Sequence, residues 1–382
     1  SPAVDVKVVF DCLFGGGRPV AGHEVYCSRE EFFSVTYPTA GMVRWLSVLF
    51  GVLAGRPGKN VFVLPAYLGA GKSHFLAFVL HVAALYRECR GVGQCVAKEL
   101  KRYGIDVELP DLEGDLRVVL FHGGYATSPP WGSGVPTKDL LRRELEGRGP
   151  LLYLFDEAGM FDNKFGAQFA DYMQLLSEAF VEAGPGRALV VSYSLASGQY
   201  SPPSLERLRR VDPLIIEMDA VRNIVHIVRR WAGIDKVPPY REFRDLVGVV
   251  PEDKVKEFHA KVAETYPFNP VALETLLLLA EESLVKASRI QLTRGLLQSA
   301  LKALKSAVER GGGLVVHGDL PEPSEVVEPP PEFSKFWNSI LGLYKKDEEA
   351  AGDDFVLRSV LRHVIYRSFV GRLMPRSGIY PD

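Results

Sequence analysis

Apolar positions along the chain fall into two regimes. Up to about residue 218, short unbroken apolar runs alternate with longer segments of helical spacing; beyond it only helical spacing continues. Runs at 61–64, 118–121, 151–155, 188–191 and 214–218 carry almost no polar alternation. That is the pattern of strands covered on both faces, as in a parallel sheet. Helices are predicted ahead of and between them, over 39–53, 75–86, 93–103, 137–145 and 163–182. Strands separated by helices predict an α/β protein with a three-layer core and a mainly parallel five-stranded sheet.

Five domains or segments follow from the same pattern. Residues 1–36 form an N-terminal extension expected to contain β structure, from the β-prone run 6–10 and a short run at Val25-Tyr26. Ser28-Arg29-Glu30-Glu31 in it fits a capping box that opens a short helix. Residues 37–218 are the α/β core. Residues 219–313 read as helices only, over 219–232, 238–247, 252–264, 270–286 and 292–310, and form an all-helical lid. Pro321, Pro323, Pro329, Pro330 and Pro331 among acidic residues make 314–331 an extended linker. Two amphipathic helices then occupy 332–382, which ends without a natural cap and is expected to be a fragment of something longer.

The first core strand leads into candidate chemistry. Ala66-Tyr67-Leu68-Gly69-Ala70-Gly71-Lys72-Ser73-His74 joins an apolar strand to an apolar helix, the setting in which a phosphate-binding loop has physical meaning. Gly69 and Gly71 let backbone N–H groups converge on a phosphate, and the helix directs its positive end at the same anion. Lys72 reaches the β- and γ-phosphates and Ser73 ligates Mg²⁺. Residues 67–74 are therefore the candidate ATP-binding stretch. The pattern ordinarily starts with glycine where Ala66 stands.

A second half of the site is expected at the end of the third strand. There Asp156 would hold Mg²⁺ and Glu157 would orient and polarise the attacking water. Ser192, leaving the fourth strand, is expected at the γ-phosphate or the lytic water. Arg207, Arg209 and Arg210 precede the fifth strand.

Phosphate loop, Asp-Glu strand, polar strand end, arginines and helical segment come in an order that resembles the AAA+ ATPases. The resemblance implies strand order 5-1-4-3-2. It makes Ser192 similar to the first sensor residue and Arg294 similar to the second. It puts Arg209 or Arg210 in the place of an arginine finger acting on a neighbouring subunit, which implies a homo-oligomer. Glu31-Phe32-Phe33 with Thr36 and Thr39, the GKSH run, Tyr266-Pro267-Phe268-Asn269-Pro270 and Gln291-Leu292-Thr293-Arg294-Gly295 resemble a narrower group. It is a poorly characterised family of prokaryotic AAA+-like ATPases encoded near DNA methyltransferase and phage-defence genes. Members usually have a third glycine where Ala70 stands, Thr at Ser73 and His at Asn269. The implied activity is ATP hydrolysis that moves the helical lid against a partner, DNA or a DNA-modifying complex. The alternative is a nucleotide-binding interaction module with little hydrolysis; a small-molecule kinase fits less well, as no acceptor-binding lid is visible.

Composition narrows this picture only a little. At 382 residues, 47% of them hydrophobic, the chain can bury several cores. A net charge of −2 gives no global attraction to polyanions. No apolar run reaches the ~18 residues of a membrane span, and the first residues show no signal pattern, so a cytoplasmic protein is expected. Cys12, Cys27, Cys89 and Cys95 have no metal spacing and are expected as thiols; Cys89 and Cys95 can pair only if the chain turns back between them. Scarce Asn and Gln suggest a thermophile.

Overall fold

A computed structural model describes residues 4–16, 22–67, 71–147, 149–195, 201–217, 219–237, 251–281, 292–327, 329 and 331–373. The chain separates into two compact units, Ser1–Asp219 and Ala220–Asp382.

The first unit opens with helices, not strands: α1 (Val6–Phe14), α2 (Glu24–Cys27), α3 (Arg29–Val35) and α4 (Ala40–Leu53). The β structure expected in 1–36 is thus corrected to helix. Asp5 accepts the N–H groups of Lys7 and Val8 and starts α1, and Val6 and Val9 share its buried face. A cap and a core-facing spacing override the β preference of valine. Ser28 and Thr39 cap α3 and α4 through the N–H groups of Glu31 and Met42.

Then follow β1 (Val61–Tyr67), α5 (Lys72–Glu88), α6 (Gly93–Lys101), β2 (Arg117–His122), α7 (Lys138–Leu145) and β3 (Leu151–Asp156). The unit is completed by α8 (Ala158–Phe165), α9 (Ala167–Ala183), β4 (Arg187–Leu195), α10 (Pro203–Leu208) and β5 (Leu214–Ile215). The helix expected over 163–182 is two helices, divided at Gly166, whose φ of 56° breaks the helical path. All five strands are parallel, in the order β2-β3-β4-β1-β5. Read from the other edge this is 5-1-4-3-2, the AAA+ order.

Alternation along the strands feeds two separate cores. Phe62, Leu64, Ala188 and Val190 pack with α4 and α5 on one face; Val61, Val63, Leu189 and Val191 pack with α8 and α9 on the other. Burial on both faces explains the unbroken apolar runs.

The expectation of four thiols is corrected as well. Cys12 joins Cys27, and Cys89 joins Cys95. Arg90 and Gly91, both at positive φ, turn the chain back between the second pair.

The second unit holds α11 (Ile224–Ala232), α12 (Glu252–Thr265), α13 (Pro270–Glu281), α14 (Leu292–Glu309), α15 (Pro323–Val326), α16 (Ser334–Ala351) and α17 (Phe355–Leu373). The helix expected over 238–247 lies outside the described residues. The stretch expected as an extended linker is instead part of this unit's core. Leu314, Val315, Leu320, Val326 and Val327 are buried with Trp337 and Tyr366 of the C-terminal helices. Arg362 donates to the carbonyls of Gly318 and Leu320, and Tyr366 to that of Pro321. Prolines made the stretch look extended, but the apolar residues among them have a core to enter.

The Tyr266-to-Pro270 motif has a structural task here. Phe268 is buried, and Asn269 N–H and Val315 N–H bond across to Val315 and Pro267 carbonyls, a one-rung parallel bridge.

Candidate active site

The site is built at the C-terminal ends of four neighbouring strands, where open α/β sheets bind ligands. β1 runs through Ala66, in register with Ser194, so the position usually held by glycine is extended backbone that alanine adopts without strain. Tyr67 ends the strand. Leu68, Gly69 and Ala70, and the side chains of Ala66 and Tyr67, lie outside the described residues. Gly71, at φ 90°, turns the chain into α5, a conformation that favours glycine. The N-terminal end of α5 thus begins with Lys72 and Ser73.

Lys72 is buried. Burial pulls its ammonium down to about 8, against the opposing pull of Asp156 and Glu157. The lysine and the acidic pair therefore belong to one electrostatic site, although β4 stands between β1 and β3 in the sheet.

Ser192, on β4, bridges the two. Its hydroxyl donates to Asp156 Oδ1 and accepts the Glu157 N–H at 3.1 Å, and the same N–H lies 3.0 Å from Asp156 Oδ1. Asp156 and Ser192 are both almost fully buried. Glu157 sits at φ 53° and ψ 47°, a left-handed backbone uncommon for a residue with a side chain. The strand-to-helix turn demands it, and it swings the carboxylate off the end of β3. Burial raises the pKa of that carboxyl, and Asp156 adds to the rise, while His122 opposes it. A carboxylate held up in this way is a better proton acceptor than an exposed one.

His122 is a site residue that the sequence reading passed over. It ends β2 in register with Asp156. Its Nε2 is 3.6 Å from Asp156 Oδ2, and its Nδ1 is 3.9 Å from Glu157 Oε2. Nδ1 also lies 3.1 Å from the Gly124 N–H, which donates to it. The signal was a second apolar strand with a polar last residue, next to the Asp-Glu strand. Gly123 permits the approach: a Cβ there would lie 2.3 Å from the Glu157 carbonyl oxygen.

His74, Arg209 and Arg210 make other contacts within the first unit. His74 points to the N-terminal helices: its Nε2 is 3.1 Å from Thr36 Oγ1, which itself donates to the Phe32 carbonyl, and its ring lies 5.0 Å from that of Phe32. Burial lowers its pKa to about 4, so it is a neutral packing group. Thr39 donates to Asp219. The Phe32, Phe33, Thr36 and Thr39 set thus braces α5 and α4 from behind. Arg209 is exposed and paired with Glu206 at 2.8 Å, and exposed Arg210 donates to Gln174 at 3.2 Å. Arg294 falls in the first turn of α14, and its side chain lies outside the described residues.

The two residues expected to hold a cation, Ser73 and Asp156, both offer oxygen donors. Among the described residues no cluster of three or more His, Cys, Asp or Glu side chains could hold a metal by itself. That donor set suits Mg²⁺, a hard cation usually completed by phosphate oxygens and water. No helix among the described residues is long and apolar enough to cross a membrane.

Comparison with known proteins adds a modest amount. A family model described as the DUF499 N-terminal domain matches residues 19–129, which span α2 to the loop after β2. No curated protein matches. Among solved structures, the Thermotoga maritima RuvB Holliday junction branch migration motor is similar at 12% identity and a TM-score of 0.35. The match covers 83% of this chain and 79% of that one. The Aeropyrum pernix ORC2 protein in its ADP form gives 13% identity and 0.36, over 92% and 90%. The A. pernix ORC1 protein, solved in complex with DNA, gives 14% and 0.32, over 92% and 88%. At such scores the fold assignment rests on the strand order itself.

Proposed function

We propose that this chain is a Mg²⁺-dependent ATPase of AAA+ type. The observation that carries the reading is the buried Lys72 at the head of α5, coupled electrostatically to an Asp156–Glu157 pair that Ser192 ties together. A buried ammonium whose pKa is lowered is poorly solvated, and a triphosphate offers it strong compensating charge. Lys72 and the N–H groups of α5 bind and orient the phosphates. Ser73 and Asp156 would hold Mg²⁺, which when bound neutralises phosphate charge. Glu157 orients a water and takes its proton, with His122 and Ser192 fixing the carboxylates.

An exposed arginine after α10 fits a finger that acts on a second copy, so hydrolysis is expected to need a homo-oligomer. Movement of the helical unit would then pass to a partner, with DNA or a DNA-modifying complex the one that the family resemblance favours. A cytoplasmic, thermophilic setting accommodates the two disulfides, because intracellular proteins of hyperthermophiles are the exception that keeps them. The test is phosphate release across protein concentration. Turnover that rises with concentration and vanishes in Glu157→Gln, with ATP still bound, supports the hydrolase. Binding without turnover at any concentration supports a nucleotide-dependent interaction module instead.

A further inference from the structure

A second polar cluster lies beneath the site and has no part in the chemistry above. Asp162 of α8, Tyr193 of β4 and Ser204 of α10 are all buried, the last two completely. Asp162 Oδ1 accepts the Ser204 N–H at 3.0 Å, and Asp162 Oδ2 accepts the Ser204 hydroxyl at 2.5 Å. Because the serine proton is committed to the carboxylate, Tyr193 must be the donor in its 2.7 Å bond to Ser204 Oγ.

Burial of a carboxylate, a phenol and a hydroxyl is costly unless each is bonded, and any apolar trio of the same size would fill the space. What a fully satisfied network adds over an apolar one is a single allowed geometry. Here three elements are fixed at once. Tyr193 is the residue after Ser192, and Asp162 lies five residues after Glu157 on the helix that Glu157 opens. Ser204 is the second residue of α10, which leads directly to Arg207, Arg209 and Arg210.

Further along the same segment, Gln174 of α9 accepts from both Arg207 and Arg210. The arginine segment is thus held at its start by Asp162 and Tyr193 and at its end by Gln174. The two ends are unequal: the first is buried, and the second is partly exposed and adds an ion pair of Arg207 with Asp171 at 3.4 Å.

We propose that Tyr193, Ser204 and Asp162 are positioning residues that lock the arginine-bearing segment 203–211 to the strand and helix carrying Ser192 and Glu157. This rests on the hydrolase reading and deepens it: a change at the phosphate end of β4 reaches the arginines offered to a second copy through one rigid link. None of the three touches substrate.

The experiment uses the full chain with Tyr193→Phe, Ser204→Ala and Ser204→Thr. Amide exchange over 203–211 is measured without nucleotide, and ATP affinity and turnover against protein concentration are measured alongside. Loss of one bond of ~1 kcal/mol predicts exchange in that segment about fivefold faster in the Tyr193→Phe variant, and loss of two predicts a larger rise in Ser204→Ala, with β1 and β3 unchanged. The Ser204→Ala variant should keep ATP affinity and KM while its concentration-dependent kcat falls severalfold, and Ser204→Thr, which retains both donors, should restore it. A merely structural role would lower the melting temperature without that split. Wild-type exchange in both variants, or an undiminished rise in turnover, overturns the proposal while leaving the hydrolase standing. Absence of turnover in the wild-type chain itself would remove both, and is seen in the control alone.

Discussion

Ser192 gives its hydroxyl proton to Asp156 and takes the backbone N–H of Glu157, so one serine holds both acidic residues of the site. Its removal takes a hydroxyl donor away from a buried carboxylate and leaves the Glu157 N–H with Asp156 Oδ1 as its acceptor. Ser192→Ala is expected to cost about 1–3 kcal/mol of stability and to lower turnover more than tenfold, with ATP affinity little changed. Thermal melts and a kcat-against-KM comparison check this. A fall confined to affinity would place the serine's role in binding.

Lys72 gives a pH dependence with a definite sign. Before nucleotide arrives, burial holds its ammonium at about 8, and a bound triphosphate favours the charged form. Below pH 8 the lysine is already protonated and affinity should be flat. Above it, binding must take up a proton, so Kd should rise by up to about tenfold for each pH unit. Titrations between pH 7 and 9.5 read the slope directly.

Buried histidines predict acid sensitivity in both units. Burial holds His81 at about 4 in the first unit and His317 at about 3 in the second, where His363 and Arg367 add to the fall. Their folded pKa values lie below the unfolded value, so the unfolded chain binds more protons between them. Stability should be undisturbed above about pH 6.5 and fall steadily toward pH 4, by ~3 kcal/mol for His81 alone. Melting temperature against pH measures it, and His81→Phe should remove only part of the first unit's share of the curve, because His74 is held at about 4 in the same unit.

The disulfides separate the two units experimentally. All four cysteines belong to the first unit. Cys12–Cys27 closes a span of 15 residues, worth ~3 kcal/mol in a chain-entropy account. Reductant should therefore lower the first unit's melting transition by about 5–10 °C and leave the second unit's transition where it was.

Much of the core was legible because its signals are local. The β1–α5 junction needs glycine at Gly71 for its positive φ, and a lysine follows it at the head of the helix. Unbroken apolar runs revealed strands covered twice, since both faces of the sheet enter a core. What was not legible depended on contacts distant in sequence. Val6, Val8 and Val9 favour a strand until Asp5 caps them and α5 offers a surface. Leu314 and Val327 look like linker residues until the C-terminal helices close over them. His122 stood in view as the end of β2, but only the register with Asp156 gives it a part in the site. Cys89 and Cys95 pair because Arg90 takes a left-handed turn that no propensity assigns to arginine.

The most direct test is the ATP affinity of Lys72→Ala, measured by calorimetry on a chain shown by its melting curve to be folded. Loss of a charge-assisted contact of ~1.5–3 kcal/mol predicts Kd weaker by about ten- to a hundredfold. An affinity equal to that of the unaltered chain would contradict the assignment of this turn to phosphate, and with it the hydrolase.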